Sequence, residues 1–174
     1  EQMDALEHEG VPTYIVPGVT SAFAASATLR TQLTLNETAN HVAFTRPQGK
    51  TLEAEDDHIG EFVEMGDVTT CIYLGTHAVA DTMDRLMEDG HDEDIPVAVV
   101  YHASWPDEDV MLGTIGTIGD MLEEAGHRAS AMVIIGEAVT GAGYERSFLY
   151  DGWANRGEDD AKQADGETAD VDQE

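Results

Sequence analysis

The 174-residue sequence predicts an α/β fold, and three observations carry that expectation. Residues 68–74, 95–101 and 131–135 are apolar nearly throughout, as strands covered on both faces are. Residues 77–88 place Val79, Met83, Leu86 and Met87 at helical spacing, which marks one buried helix face. Strand-like and helix-like segments also alternate along the chain, the pattern of helices packed on a sheet.

The remaining elements follow from local signals. Residues 1–10 read as the last turns of a helix, with Met3 and Leu6 apolar and Gly10 as its stop. Residues 13–16 read as a short strand broken by Pro17-Gly18, after which Thr20 or Ser21 caps a helix of small residues over 22–29. A strand is expected over 41–45, and a helix over 56–65 with Ile59, Phe62 and Val63 on one face. Residues 110–114 suit an edge strand, and 117–120 resemble a capping box opening a helix that ends at Gly126. From Gly157 onward the chain is acidic and nearly free of apolar residues, which predicts a disordered tail. The chain opens with Glu1 inside a helical segment, so a fragment lacking its N-terminal part is expected.

Composition narrows the function. Thirty-six acidic residues against 8 basic ones leave a formal charge of -28, which repels nucleic acid and anionic membrane surfaces. The acidic residues flank periodic apolar segments, so a solvated acidic surface suited to a salt-rich cytoplasm explains them better than disorder does. Lys50 and Lys162 are the only lysines, in keeping with a halophilic source. No apolar run is long enough to span a bilayer. Cys71 is the single cysteine, which excludes an internal disulfide; its apolar neighbours predict a buried structural thiol and a reducing compartment.

In open α/β sheets ligands gather at strand ends, and four segments qualify: 17–21, 45–50, 74–77 and 102–108. Each is also readable as a plain turn. The small residues after Pro17-Gly18 would let a ligand approach a helix N-terminus, or equally let another helix pack there. Asp107-Glu108 offers acid and base chemistry but also suits a polar turn after Pro106. His91-Asp92-Glu93-Asp94 contains metal-ligand types, yet such clusters arise by composition in so acidic a chain, and no metal site is expected. Arg46 and Lys50 stand out because cations are rare here; just beyond a strand end, they could grip a polycarboxylate or pair with surface acids.

Four segments then coincide with one family. Ile15-Val16-Pro17-Gly18-Val19-Thr20-Ser21-Ala22-Phe23-Ala24-Ala25, Phe44-Thr45-Arg46, Ile72-Tyr73-Leu74-Gly75 and residues 96–108 (Pro-Val-Ala-Val-Val-Tyr-His-Ala-Ser-Trp-Pro-Asp-Glu) stand in matching order and spacing. Together they resemble the tetrapyrrole methylases, and Gly113-Thr114 and Arg146-Ser147-x-Leu149-Tyr150-Asp151 extend the likeness over nearly all of residues 1–151. The resemblance implies two α/β domains, a cleft between them and a homodimer. On that division residues 1–36 are a remnant of the N-terminal domain with its connection, 37–152 the C-terminal methyltransferase domain, and 153–174 the tail.

The resemblance further implies S-adenosylmethionine as cofactor, against Thr20, Ser21, Leu74 and Ala103, with Gly136 on a nearby strand end. The implied substrate is a tetrapyrrole, methylated on carbon 11 of precorrin-4 or cobalt-precorrin-4 on the way to cobalamin, with Arg46, Lys50 and Arg146 holding its carboxylates. Such a reaction joins an activated sulfonium methyl to an electron-rich carbon, so alignment and dryness suffice and no covalent protein intermediate or catalytic constellation is expected. The family's glycine- and proline-rich N-terminal loop and its Gly-Asp motif do not occur in this sequence. His102 and Lys50 stand where arginines are usual. Uroporphyrinogen-III methyltransferase and diphthine synthase are the rival readings within the family, and 101–108 speaks against both; a non-catalytic binding or dimerisation module is the rival outside it.

Overall fold

The computed structural model describes residues 1–48 and 57–143. Its strands are β1 (His41–Thr45), β2 (Val68–Ile72), β3 (Pro96–Tyr101), β4 (Asp109–Thr114) and β5 (Ala131–Ile135). They form one sheet in the order β1-β2-β5-β3-β4. Only β1 and β2 run parallel; β5 is antiparallel to both its neighbours, and β4 closes the far edge as an antiparallel partner of β3. Every residue of β2 and β5 is buried, which accounts for their unbroken apolar and threonine-rich sequence.

Helices α1 (Gln2–His8), α2 (Ser21–Leu29), α3 (Ile59–Glu64), α4 (Val79–Glu88) and α5 (Ile118–Ala125) complete the elements. Successive strand residues point to opposite faces, so each face gathers its own core. One face packs Ile72, Val97, Val99, Val133 and Ile135 against Met83 and Leu86 of α4 and Ile118 of α5. The other packs Cys71, Ala98, Val100 and Met132 against Ala22 and Ala25 of α2. The α2 face is built of alanines because the helix must lie close to the sheet, which the small residues after Thr20 permit. Cys71 sits in that core, where burial pushes its thiol up to about 12, as befits a structural cysteine.

Three local expectations are corrected. Residues 13–16 form no strand: no sheet neighbour among the described residues takes up their backbone groups, and Tyr14, Ile15 and Val16 stand exposed. The helix expected from 56 begins at Ile59, because the Asp57 carboxylate accepts the Ile59 N–H and ends the loop there. The apparent capping box at 117–120 makes no side-chain cap; the Thr117 hydroxyl instead accepts the Thr114 N–H at 2.9 Å. That helix does stop at Gly126, whose φ of 73° is the left-handed C-terminal turn glycine adopts without cost.

Residues before the expected boundary at 36 also pack on this sheet. Ala22, Ala25 and Leu33 belong to the core of this sheet, whereas no residue of α1 is buried. Residues beyond 143, and with them the expected tail, lie outside the described residues.

Candidate functional site

The strand register collects the site at one edge of the sheet. Thr45 pairs with Ile72, Ile72 with Val133, and Tyr101 with Ala131, so β1, β2 and β3 end where the antiparallel β5 begins. The N-terminus of α2 lies over the same edge: the Thr20 hydroxyl is hydrogen-bonded to the Tyr73 hydroxyl at 2.5 Å, across 53 residues of sequence. A cavity of about 290 Å3 opens there, and its walls include Ser21, Leu74 and Ala103 together with Tyr73, His102 and Trp105. Three of the five residues expected at a cofactor thus share one cavity, and Thr20 braces its wall through Tyr73.

The backbone around this cavity is unusual. Leu74, His102 and Ser130 all line it, and all have positive φ, at 57°, 47° and 61°. Residues with a side chain avoid this region, at a cost on the order of 1 kcal/mol each, and such conformations persist where surrounding structure imposes them, often at functional sites. The turn after β3 shows how it is imposed. Trp105 N–H donates to the His102 carbonyl, Ser104 has φ 71°, and the Glu108 carboxylate accepts the Ser104 N–H at 2.6 Å. The same carboxylate accepts the Thr28 hydroxyl of α2 at 2.9 Å, which ties the loop to the helix. Asp107 in turn is 2.9 Å from His102 Nδ1. Asp107 and Glu108 therefore act as loop-shaping groups, the polar-turn alternative for this pair.

Arg46 lies just past β1 in a neighbouring, more open cavity of about 570 Å3 that shares Tyr73 and Leu74 with the first. It forms no ion pair with any described residue, unlike the surface pairing an acidic chain invites. Phe23, Phe44 and Tyr73 form an edge-to-face row with ring centroids 6.1 and 6.0 Å apart, and its Tyr73 end lines both cavities. Phe23 and Phe44 are half exposed, giving the site an apolar, water-shedding rim.

Gly136 is not part of this arrangement. Because β5 runs antiparallel to β2 and β3, its carboxyl end reaches the opposite edge, where the Gly136 N–H donates to the Pro96 carbonyl. Its φ of 125° and a Cβ position 3.0 Å from the Val68 carbonyl oxygen explain the glycine on backbone grounds. Gly136 thus lines a different cavity from Ser21, Leu74 and Ala103. Lys50 and Arg146 lie outside the described residues. Among the described residues no three His, Cys, Asp or Glu side chains converge as a metal ion would require, and no helix is long and apolar enough to cross a membrane.

Two sets of contacts escaped sequence reasoning. Tyr73 meets Thr20 across 53 residues, and the His102 ring packs against Tyr101 and Trp105, relationships that periodicity does not register. Asp57 and Arg85 form a second such pair: Arg85 Nη2 holds both Asp57 oxygens, at 2.8 and 2.6 Å. Burial opposes ionisation of Asp57, but Arg85 and the N–H groups of Gln48 and Ile59 outweigh it and hold the carboxyl below its usual range. The pair ties the loop before α3 to α4, and neither residue lines the cavity, so its role is structural.

The walls of the cavity offer flat rings and small side chains but no carboxylate, ammonium or guanidinium among the described residues, so it favours an uncharged, planar moiety. Comparison with known proteins places the chain in a family. Residues 1–119 match the family described as Tetrapyrrole (Corrin/Porphyrin) Methylases. Over 151 residues the chain is 39% identical to the cobalt-precorrin-4 C(11)-methyltransferase of Methanocaldococcus jannaschii, covering 87% of this chain and 58% of that protein. A solved cobalamin biosynthetic enzyme, cobalt precorrin-4 methyltransferase, superposes with a TM-score of 0.69 at 36% identity, over 79% of this chain and 57% of that one. The uroporphyrin-III C-methyl transferase of Thermus thermophilus, solved with S-adenyl homocysteine, superposes at 0.61 with 25% identity, over 80% of this chain and 59% of that one. The chain spans less than two-thirds of each of these relatives. With a family match over most of its length and a sheet that superposes on solved members, the chain belongs to the tetrapyrrole methylases.

Proposed function

We propose that this chain is part of an S-adenosylmethionine-dependent C-methyltransferase that methylates carbon 11 of precorrin-4 or cobalt-precorrin-4 in cobalamin biosynthesis. The observation that carries the reading is the single cavity joining Ser21, Leu74 and Ala103, next to the Arg46 cavity with which it shares Tyr73 and Leu74. Greater similarity to the cobalt-precorrin-4 enzymes than to the uroporphyrin-III enzyme favours the precorrin-4 substrate.

In this reading Ser21, Leu74 and Ala103 hold the cofactor and Thr20 keeps Tyr73 in place beside it. When bound, S-adenosylmethionine supplies a methyl group already activated on a sulfonium. Arg46 holds a carboxylate of the macrocycle, and Lys50 and Arg146 are proposed to hold others. Phe23, Phe44 and Leu74 exclude water around the reacting groups, so the chain's work is alignment and desolvation rather than acid–base or covalent chemistry. The protein is further proposed to be a homodimer in the cytoplasm of a salt-adapted cell, its acidic surface kept solvated there. Residues 37–152 are proposed to form its C-terminal methyltransferase domain, with 1–36 as the end of the N-terminal domain and the connection to it.

The test is methyl transfer from labelled S-adenosylmethionine to cobalt-precorrin-4 by the full-length protein in molar potassium chloride. Label on carbon 11 is the expected result. Cofactor binding with turnover only on another tetrapyrrole would move the substrate within the family, and a folded protein that neither binds nor turns over would defeat the enzyme reading.

A further inference from the structure

His102 is held more tightly than a turn requires. Its ring lies between Tyr101, stacked at 3.7 Å and 17°, and Trp105, tilted at 4.6 Å. Tyr101 is itself stacked on His127 at 3.8 Å, and His127 Nε2 is 2.8 Å from the Asp109 carboxylate. A column of four rings, Trp105, His102, Tyr101 and His127, therefore leads away from the cavity, and each of its two histidines is bonded to a carboxylate. Asp107 accepts a hydrogen bond from Nδ1 at 2.9 Å, which puts the proton of the neutral ring on that nitrogen and leaves Nε2 with a free lone pair. Nε2 makes no hydrogen bond with any described residue, although the side chain is only 17% exposed and lines the cavity. The left-handed backbone at His102, φ 47°, is the further cost at which this ring is set in place.

An oriented acceptor in a mostly apolar cavity is an incomplete pair, and it selects a ligand with a donor at that point. The other polar side chain facing the same space with a titratable group, Tyr73, is already bonded to Thr20. On the methyltransferase reading, on which this inference rests, the bound nucleoside offers the amino group of its purine, its ribose hydroxyls and its α-ammonium. The ammonium requires an anionic partner, which the cavity walls lack among the described residues; a flat purine suits walls built from Leu74, Ala103 and Trp105. We infer that His102, oriented by Asp107, is a specificity-determining residue that accepts a hydrogen bond from the exocyclic amino group of the cofactor's purine.

The test is a binding measurement needing no turnover. Titration calorimetry on the full-length protein compares S-adenosylhomocysteine with its analogue carrying hydrogen in place of the purine amino group. Wild type is expected to bind the analogue about tenfold more weakly or worse, since the analogue leaves Nε2 buried and unpaired. His102→Phe, which keeps a ring in the column, is expected to bind both compounds equally. Asp107→Ala alters an exposed side chain and frees the tautomer; it should shrink the wild-type preference, and it serves should the phenylalanine variant not fold. Equal affinities in wild type would overturn the inference while leaving the methyltransferase reading intact, as would a preference unchanged in either variant. Failure of folded wild type to bind S-adenosylhomocysteine at all would remove the reading and the inference together.

Discussion

The hydroxyl of Thr20 lies 2.5 Å from the hydroxyl of Tyr73, and this one contact joins the start of α2 to the end of β2 at the mouth of the cavity. Thr20 is the residue before α2, yet it makes no side-chain cap to its own helix. The group that sequence logic assigns to capping is used across the fold.

Tyr73→Phe separates that contact from the ring packing on Phe44, which it preserves. Loss of a partly buried hydrogen bond should cost about 1 kcal/mol in denaturant unfolding. Affinity for S-adenosylhomocysteine should fall roughly threefold to tenfold, because the cavity wall is no longer held in one position. Unchanged affinity in calorimetry would separate the contact from the site.

Arg46→Glu replaces a cation that has no ion-pair partner among the described residues, so stability should change by less than about 0.5 kcal/mol. The KM for the tetrapyrrole should rise by about tenfold or more, with cofactor affinity nearly unaltered. Steady-state kinetics with each substrate varied in turn would show the split, and an unmoved tetrapyrrole KM would dismiss Arg46 as a carboxylate contact.

Asp57→Asn leaves Arg85 facing a neutral partner at a buried position, and should cost roughly 3 kcal/mol of stability. The native Asp57 carboxyl is held below its ordinary value of 3.8, so its contribution is complete above that value. As pH falls from there through the lower native value, the unfolded chain takes up the proton first and the contribution is lost. Denaturant unfolding between neutral and strongly acid pH should therefore show a steeper acid decline in wild type than in the asparagine variant.

Gly136→Ala places a methyl group 3.0 Å from a backbone oxygen at a φ of 125°. A loss of about 1–3 kcal/mol is expected, with cofactor affinity unchanged in the folded protein, because the residue sits on the edge of the sheet away from the cavity. A fall in S-adenosylhomocysteine affinity at intact stability would instead return Gly136 to the cofactor.

Much of this was legible in the sequence. The strands at 41–45 and 131–135 and the helices ending at Glu88 and Gly126 were readable because burial on a sheet face or helix stripe imposes its own periodicity. Resemblance singled out Ser21, Leu74 and Ala103, and the fold brings these three to one cavity. The strand expected at 13–16 was not realised: an extended apolar segment becomes a strand only where a neighbour accepts its hydrogen bonds, and pairing is not a local property.

Sequence by itself determined which segments are buried, where helices stop, and that the chain is an acidic α/β protein with few cations to spend on a ligand. Tertiary structure alone decided the direction of β5, and with it that Leu74 and Ala103 meet while Gly136 faces the other edge. It also decided that Thr20 meets Tyr73 and that Arg85 meets Asp57. The reason is range: hydrophobic periodicity and turn chemistry act over a few residues, whereas strand direction and hydrogen-bond partners are chosen by the packing of the whole sheet.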